Sequence, residues 1–155
     1  MYIICSQGAT TDKETGAYSI FEVIDKLVLT EIPKPKAGEG VIVIERQRFV
    51  ITTTWMIDAK NGEVFDDEFD LHLLVNMESG ENVMEDRQTF KFGGPDKIIH
   101  RMTYNMLGMM PVKNSGTLVI ESRARKVGAP SWKSQNYKVI IEKQKLELKP
   151  QGNDK

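Results

Sequence analysis

The sequence predicts an all-β fold: an antiparallel two-sheet β-sandwich, Ig-like or C2-like with Greek-key connections, carrying one short helical element near residues 19–27. Three observations lead there. Apolar and polar residues alternate with period two over successive stretches, as they do when one face of a strand is buried. Turn signals made of Gly, Pro, Asn, Asp and Ser recur at short intervals. No apolar-periodic segment is long enough to serve as a parallel crossover helix.

In chain order, Tyr2-Ile3-Ile4-Cys5 reads as a short buried strand, and Asp12-Lys13-Glu14-Thr15-Gly16 as a polar turn. Ile20, Val23, Ile24, Leu27 and Val28 follow helical spacing, and Ser19 with Glu22 matches a capping box. The overlapping run Val28-Leu29-Thr30-Glu31-Ile32 alternates and is β-prone. The segment is therefore expected to be a helical turn or two running into a strand that Pro33 and Pro35 end. Residues 34–40 form a loop, and residues 41–46 a strand.

Phe49, Ile51, Thr53, Trp55 and Ile57 alternate with Val50, Thr52, Thr54 and Met56 in a longer strand. Asn61-Gly62 then signals a type I′ hairpin, whose two central residues both need positive φ. Phe69, Leu71, Leu73, Val75 and Met77 alternate cleanly up to a Ser79-Gly80 turn, and residues 83–92 form a weaker strand before Gly93-Gly94-Pro95-Asp96. Residues 98–107 are expected to pair with 118–121 through Gly108, Pro111 and the Asn114-Ser115-Gly116 turn, with Met102 and Met106 in the core. A loop around Trp132 leads to a last strand marked by Tyr137, Val139 and Ile141. Residues 1–148 make a single domain, and 149–155 a flexible tail.

Bulk properties agree with one soluble domain. At 155 residues the chain can bury about two-thirds of its unfolded surface, and 40% hydrophobic with 28% charged residues is ordinary globular composition. The first residues lack the basic n-region of a signal peptide, and no apolar run approaches the length of about 18 residues that a membrane helix needs. Cys5 is alone, which excludes an internal disulfide and fits a reducing compartment, so a cytoplasmic protein without membrane contact is expected. Charge is uneven along the chain. Residues 1–96 carry 9 Lys/Arg against 18 Asp/Glu, and residues 97–155 carry 12 against 4. Acidic and basic strands lying side by side account for that, as does contact between copies or with a protein partner.

Cys5 near the start, Thr11-Asp12 before a turn, and the run Gly16-Ala17-Tyr18-Ser19-Ile20-Phe21-Glu22-Val23-Ile24 followed by Pro33 together resemble a family of small prokaryotic β-sandwich proteins of unknown function. Asp58-Ala59-Lys60-Asn61-Gly62 and Ser115-Gly116-Thr117-Leu118-Val119-Ile120 stand where that family has a hairpin and a late strand, while Ser6 replaces its usual Asp. The resemblance implies a sandwich, and no activity or catalytic residue.

Searched directly, the chain yields no catalytic residue, and it is expected not to be an enzyme and to need no cofactor. The two histidines, His72 and His100, come without a nucleophile elbow. His72 alternates against Leu71 and Leu73 and is expected to face solvent, while Cys5 among apolar neighbours reads as an inert core thiol. No glycine-rich loop opens a helix to cradle phosphate.

Three constellations bear on binding. Asp58, Asp66, Asp67 and Asp70 gather near one turn and are candidate Ca²⁺ ligands, against a solvated acidic rim that discourages edge pairing. His100 with Met102, Met106, Met109 and Met110 brings together donors that suit Cu(I), but on a strand Met102 and Met106 lie about 13 Å apart, which favours core packing or a contact surface. Arg123, Arg125, Trp132 and Tyr137 form a basic-aromatic set that is the candidate ligand site. A pI of about 6.2 argues against nucleic acid. The function expected is a non-enzymatic interaction or scaffold sandwich that pairs with a protein partner or with itself. The alternative is a small-ligand or carbohydrate module, Ca²⁺-assisted, using Trp55, Trp132, Tyr104 or Tyr137 as its platform.

Overall fold

The computed structural model describes residues 2–15, 17–31, 48–95, 97–107 and 115–145. They form a two-sheet β-sandwich of nine strands: β1 (Tyr2–Thr11), β2 (Tyr18–Val23), β3 (Lys26–Glu31), β4 (Arg48–Met56), β5 (Glu68–Met77), β6 (Asn82–Lys91), β7 (Ile99–Leu107), β8 (Gly116–Lys126) and β9 (Lys133–Lys145). The four-stranded sheet runs β2-β1-β4-β7, and the five-stranded sheet runs β3-β9-β8-β5-β6. The expected strand at 41–46, the Met109 and Met110 positions and the 149–155 tail lie outside the described residues. No helix among those described is long and apolar enough to cross a membrane.

Strand periodicity builds the core. On β5, Phe69, Leu71, Leu73, Val75 and Met77 are buried and face the opposite sheet, so Asp70, His72 and Leu74 lie on the outer face. The same alternation on β8 turns Leu118, Ile120, Ser122 and Ala124 inward. Two apolar clusters result. One is built around Cys5, Phe49, Ile51, Leu73, Ile120 and Val139, and the other around Trp55, Phe69, Leu71, Phe90 and Phe92. Thr53 and Ser122 stand between the two clusters in sequence, fully buried, and neither hydroxyl has a partner among the described residues. Met102 and Met106 are partly buried and pack against the core clusters, as expected of core residues.

β4 is buried on both faces. On its outer side the Tyr18 hydroxyl is hydrogen-bonded to the hydroxyls of Thr52 (2.8 Å) and Thr103 (2.9 Å), and the guanidinium of Arg101 lies 4.2 Å from the Tyr18 ring. The β1–β2 turn is held by Asp12, whose Oδ1 accepts the amides of Glu14 and Thr15 and the Thr15 hydroxyl. The β5–β6 hairpin turns at Ser79-Gly80, where Gly80 supplies the positive φ (93°).

The helical element expected near 19–27 is not formed; the segment is β2 and β3. The backbone N–H of Ile24 donates to Cys5 O in one sheet, and the carbonyl of the next residue, Asp25, accepts from Ile140 N in the other. The chain changes sheets there, so two short strands with their burial parity interrupted mimic a helical period. Glu22, read as a capping-box partner, instead adopts a left-handed φ of 52° within β2. The sandwich is also not wholly antiparallel, because β3 pairs with β9 in parallel.

Two expected hairpins are likewise absent. β4 and β5 belong to different sheets, and a 3₁₀ turn at Ala59–Asn61 connects them. Only Gly62 of the Asn-Gly pair has positive φ (78°), so no type I′ turn forms. β7 pairs with β4, and β8 with β5 and β9, so residues 98–107 do not pair with 118–121.

Candidate functional site

Cross-strand register brings the site together on the outer face of the five-stranded sheet. One rung places Thr89, Asp70 and Arg125 side by side across β6, β5 and β8; the adjacent outer rung places Arg87, His72 and Arg123. The turn between β8 and β9 then carries Trp132 over the arginines. Its ring centre lies 4.5 Å from the Arg125 guanidinium and 5.2 Å from that of Arg123, within cation–π range. A depression of about 460 Å³ opens here, lined by these groups.

Hydrogen bonds order the floor. Arg123 donates to Nδ1 of His72 through Nε (3.0 Å) and Nη2 (2.7 Å). A guanidinium only donates, so Nδ1 holds the lone pair and the proton sits on Nε2, which donates to Oε1 of Glu85 at 2.8 Å. Arg87 grips the same Glu85 oxygen through Nε (2.9 Å) and Nη2 (2.8 Å). The Arg87 and His72 contacts hold the Glu85 carboxyl below the usual carboxylate range. Arg125 donates from Nε to Asp70 Oδ2 (3.0 Å) and from Nη1 to the Ala129 carbonyl (3.4 Å). Three guanidinium groups thus meet two carboxylates. Among the described residues Arg123 is the arginine of this set without a carboxylate partner.

His72, expected to face solvent, is 3% exposed. It does lie on the outer face, but its cross-strand neighbours and Trp132 cover it. Asp70, Arg87, His72 and Glu85 join the set only because register aligns them across strands. Alternation shows that Asp70 shares a face with His72, and Arg123 with Arg125, but not that the two faces meet.

Tyr137 does not belong to the site. It points inward, packs on the core and donates its hydroxyl to the Ile24 carbonyl (3.1 Å), and burial raises its pKa. Trp55 is buried, and Tyr104 faces the interior beside Met102, with burial and the nearby Asp86 carboxylate raising its pKa. The aromatics are therefore dispersed, and no flat sugar platform forms among the described residues.

The candidate Ca²⁺ ligands do not converge. Asp58 is bound by Asn61 (2.6 Å) and Lys133 (3.1 Å), and those contacts lower its pKa. Asp67 is held by Lys126 (2.6 Å) and the Val64 amide (3.0 Å), Asp70 by Arg125, and Asp66 is exposed. Among the described residues no group of three or more His, Cys, Asp or Glu side chains is placed to hold a metal. These carboxylates stay hydrated or pair with lysine and arginine on neighbouring strands and turns.

The Cu(I) set is dispersed too. His100 stacks on Phe90 with ring centres 3.9 Å apart, while Met102 packs on one core cluster and Met106 on the other. Cys5 is fully buried, and burial pushes its thiol up to about 12, far from a reactive thiolate. No family model, curated protein or solved structure matches this chain.

Proposed function

We propose that the chain is a non-enzymatic protein-contact module that works through the β7 edge of its four-stranded sheet, an edge with no partner strand among the described residues, pairing β7 with β7 of a second copy. One observation carries this reading. Met56 on β4 and Ile99 on β7 stand directly opposite each other, 51% and 43% exposed, and Ile98, 42% exposed, comes just before β7. Soluble proteins leave such apolar groups grouped chiefly where they meet another surface.

β7 supports the same reading. Sheet edges are normally blunted by charge, proline or bulges. β6, at the edge of the other sheet, carries Glu85, Asp86, Arg87 and Lys91, and its pairing with β5 breaks register after Val75. β7 runs nine residues with no Gly, no Pro and no break in its register with β4, and Arg101 is its one Lys or Arg. A two-fold antiparallel pairing centred on Thr103 would set Arg101 opposite Asn105 and His100 opposite Met106, so no like charges meet.

Light scattering after size exclusion tests the proposal. The parent chain is expected to elute as a dimer at low and high salt, because the contact is apolar and backbone-bonded. Ile99→Lys is expected to be a folded monomer. A parent chain that stays monomeric at high concentration contradicts self-pairing.

A further inference from the structure

The outer face of the five-stranded sheet carries a second site. Around the 460 Å³ depression, each of three arginines already holds a protein acceptor through its Nε. Arg87 uses Nε and Nη2 on Glu85, Arg123 uses Nε and Nη2 on His72, and Arg125 uses Nε on Asp70 and Nη1 on Ala129 O. Of the five N–H groups on each guanidinium, three stay uncommitted, including both on Nη1 of Arg87 and of Arg123 and both on Nη2 of Arg125, with no partner among the described residues.

This pattern discriminates between anions. A carboxylate is planar and binds best to the intact fork of one arginine, two parallel N–H groups to two oxygens. Here the uncommitted N–H groups come from three arginines around one depression, more than a planar pair of oxygens can join. A phosphoryl group presents three acceptor oxygens in a tetrahedral array and can take donors from all three arginines at once. The charge balance agrees, because among the described residues Arg123 is opposed by the lone pair of the His72 imidazole and the face of Trp132, and by no carboxylate. Trp132 also walls off one side of the depression, and a guanidinium beside low-polarity surface attracts an anion more strongly than one in open water.

We propose that this depression binds the phosphate group of a small phosphorylated molecule, with Arg123 as the central contact and Arg87 and Arg125 on either side. The residues that hold the arginines act as positioning groups. Glu85, His72 and Asp70 each fix the direction of one guanidinium without neutralising the whole set.

Titration of the full chain with inorganic phosphate at constant ionic strength tests this, followed by tryptophan emission and by calorimetry. Trp132 stacks on two of the arginines and reports the site, while Trp55 is a buried, constant background. A saturable response to phosphate is expected, with acetate binding weakly or not at all. Arg123→Gln should weaken phosphate binding roughly tenfold or more, the scale of one lost charged hydrogen bond. Lys138→Gln, a cation elsewhere on the same sheet paired with Glu78, should leave it unchanged. Should Arg123→Gln fail to fold by circular dichroism, Arg87→Gln carries the test, since that side chain is 73% exposed. A non-saturating phosphate response, acetate binding as tight as phosphate, or a folded arginine variant that binds like the parent overturns the proposal.

Discussion

Arg123 and His72 form one hydrogen-bonded unit: two guanidinium nitrogens, at 3.0 and 2.7 Å, converge on a single imidazole lone pair. The arrangement works only if the proton is on Nε2. Nitrogen-15 NMR at neutral pH should therefore show His72 as the Nε2–H tautomer. A double-mutant cycle of His72→Phe and Arg123→Met should show a coupling of about 1–2 kcal/mol, because each single change strands the other partner. Additive effects would mean that the two side chains merely lie close.

Adjacent threonines on β4 should respond with opposite signs. The hydroxyl of Thr52 is bonded to Tyr18, whereas that of Thr53 is buried with no partner among the described residues. Thr52→Val should destabilise by about 1 kcal/mol, and Thr53→Val should stabilise by a similar amount, since a methyl replaces a desolvated hydroxyl. Urea unfolding of the two variants checks both directions.

His100 makes stability depend on pH. Burial holds its pKa below the ordinary imidazole value, so the unfolded chain binds the proton more readily. This contribution is fully present above the unfolded value of about 6.5 and is lost as pH falls through the folded value. The melting temperature should drop as pH falls below about 6.5, and His100→Phe should flatten that slope. Asp58, Asp67 and Glu85 are also held low, by their hydrogen bonds and cationic neighbours. Their contribution should disappear further down, below about pH 4.

Much of the sandwich can be read from the sequence where one strand lies wholly within one sheet. β5 shows the plain case, with five alternating apolar residues that are all buried, and β4, β6 and β9 lie close to their expected positions. Reading fails where the chain changes sheets. At Ile24-Asp25 consecutive residues bond to different sheets, and the broken parity resembles a helical period. At Asn61-Gly62 a familiar dipeptide marks a crossing between sheets instead of a hairpin, since the preceding and following strands face each other across the core. The site was half visible. Arg123, Arg125 and Trp132 are neighbours in sequence, but Asp70, His72 and Arg87 arrive from 36 to 62 residues away through register alone. Tyr137, although close in sequence to Trp132, falls on the inner face of β9 because side chains alternate along the strand.

Hydrogen exchange along β7, measured at several protein concentrations, tests the edge-pairing account most directly. Amides of an unpaired edge strand exchange readily, while those in a continuous ladder are protected. The account predicts that protection of the outward-facing β7 amides rises with concentration in the parent chain and stays low in Ile99→Lys. Edge amides that exchange equally fast at every concentration, in a chain whose β4 amides remain protected, would contradict it.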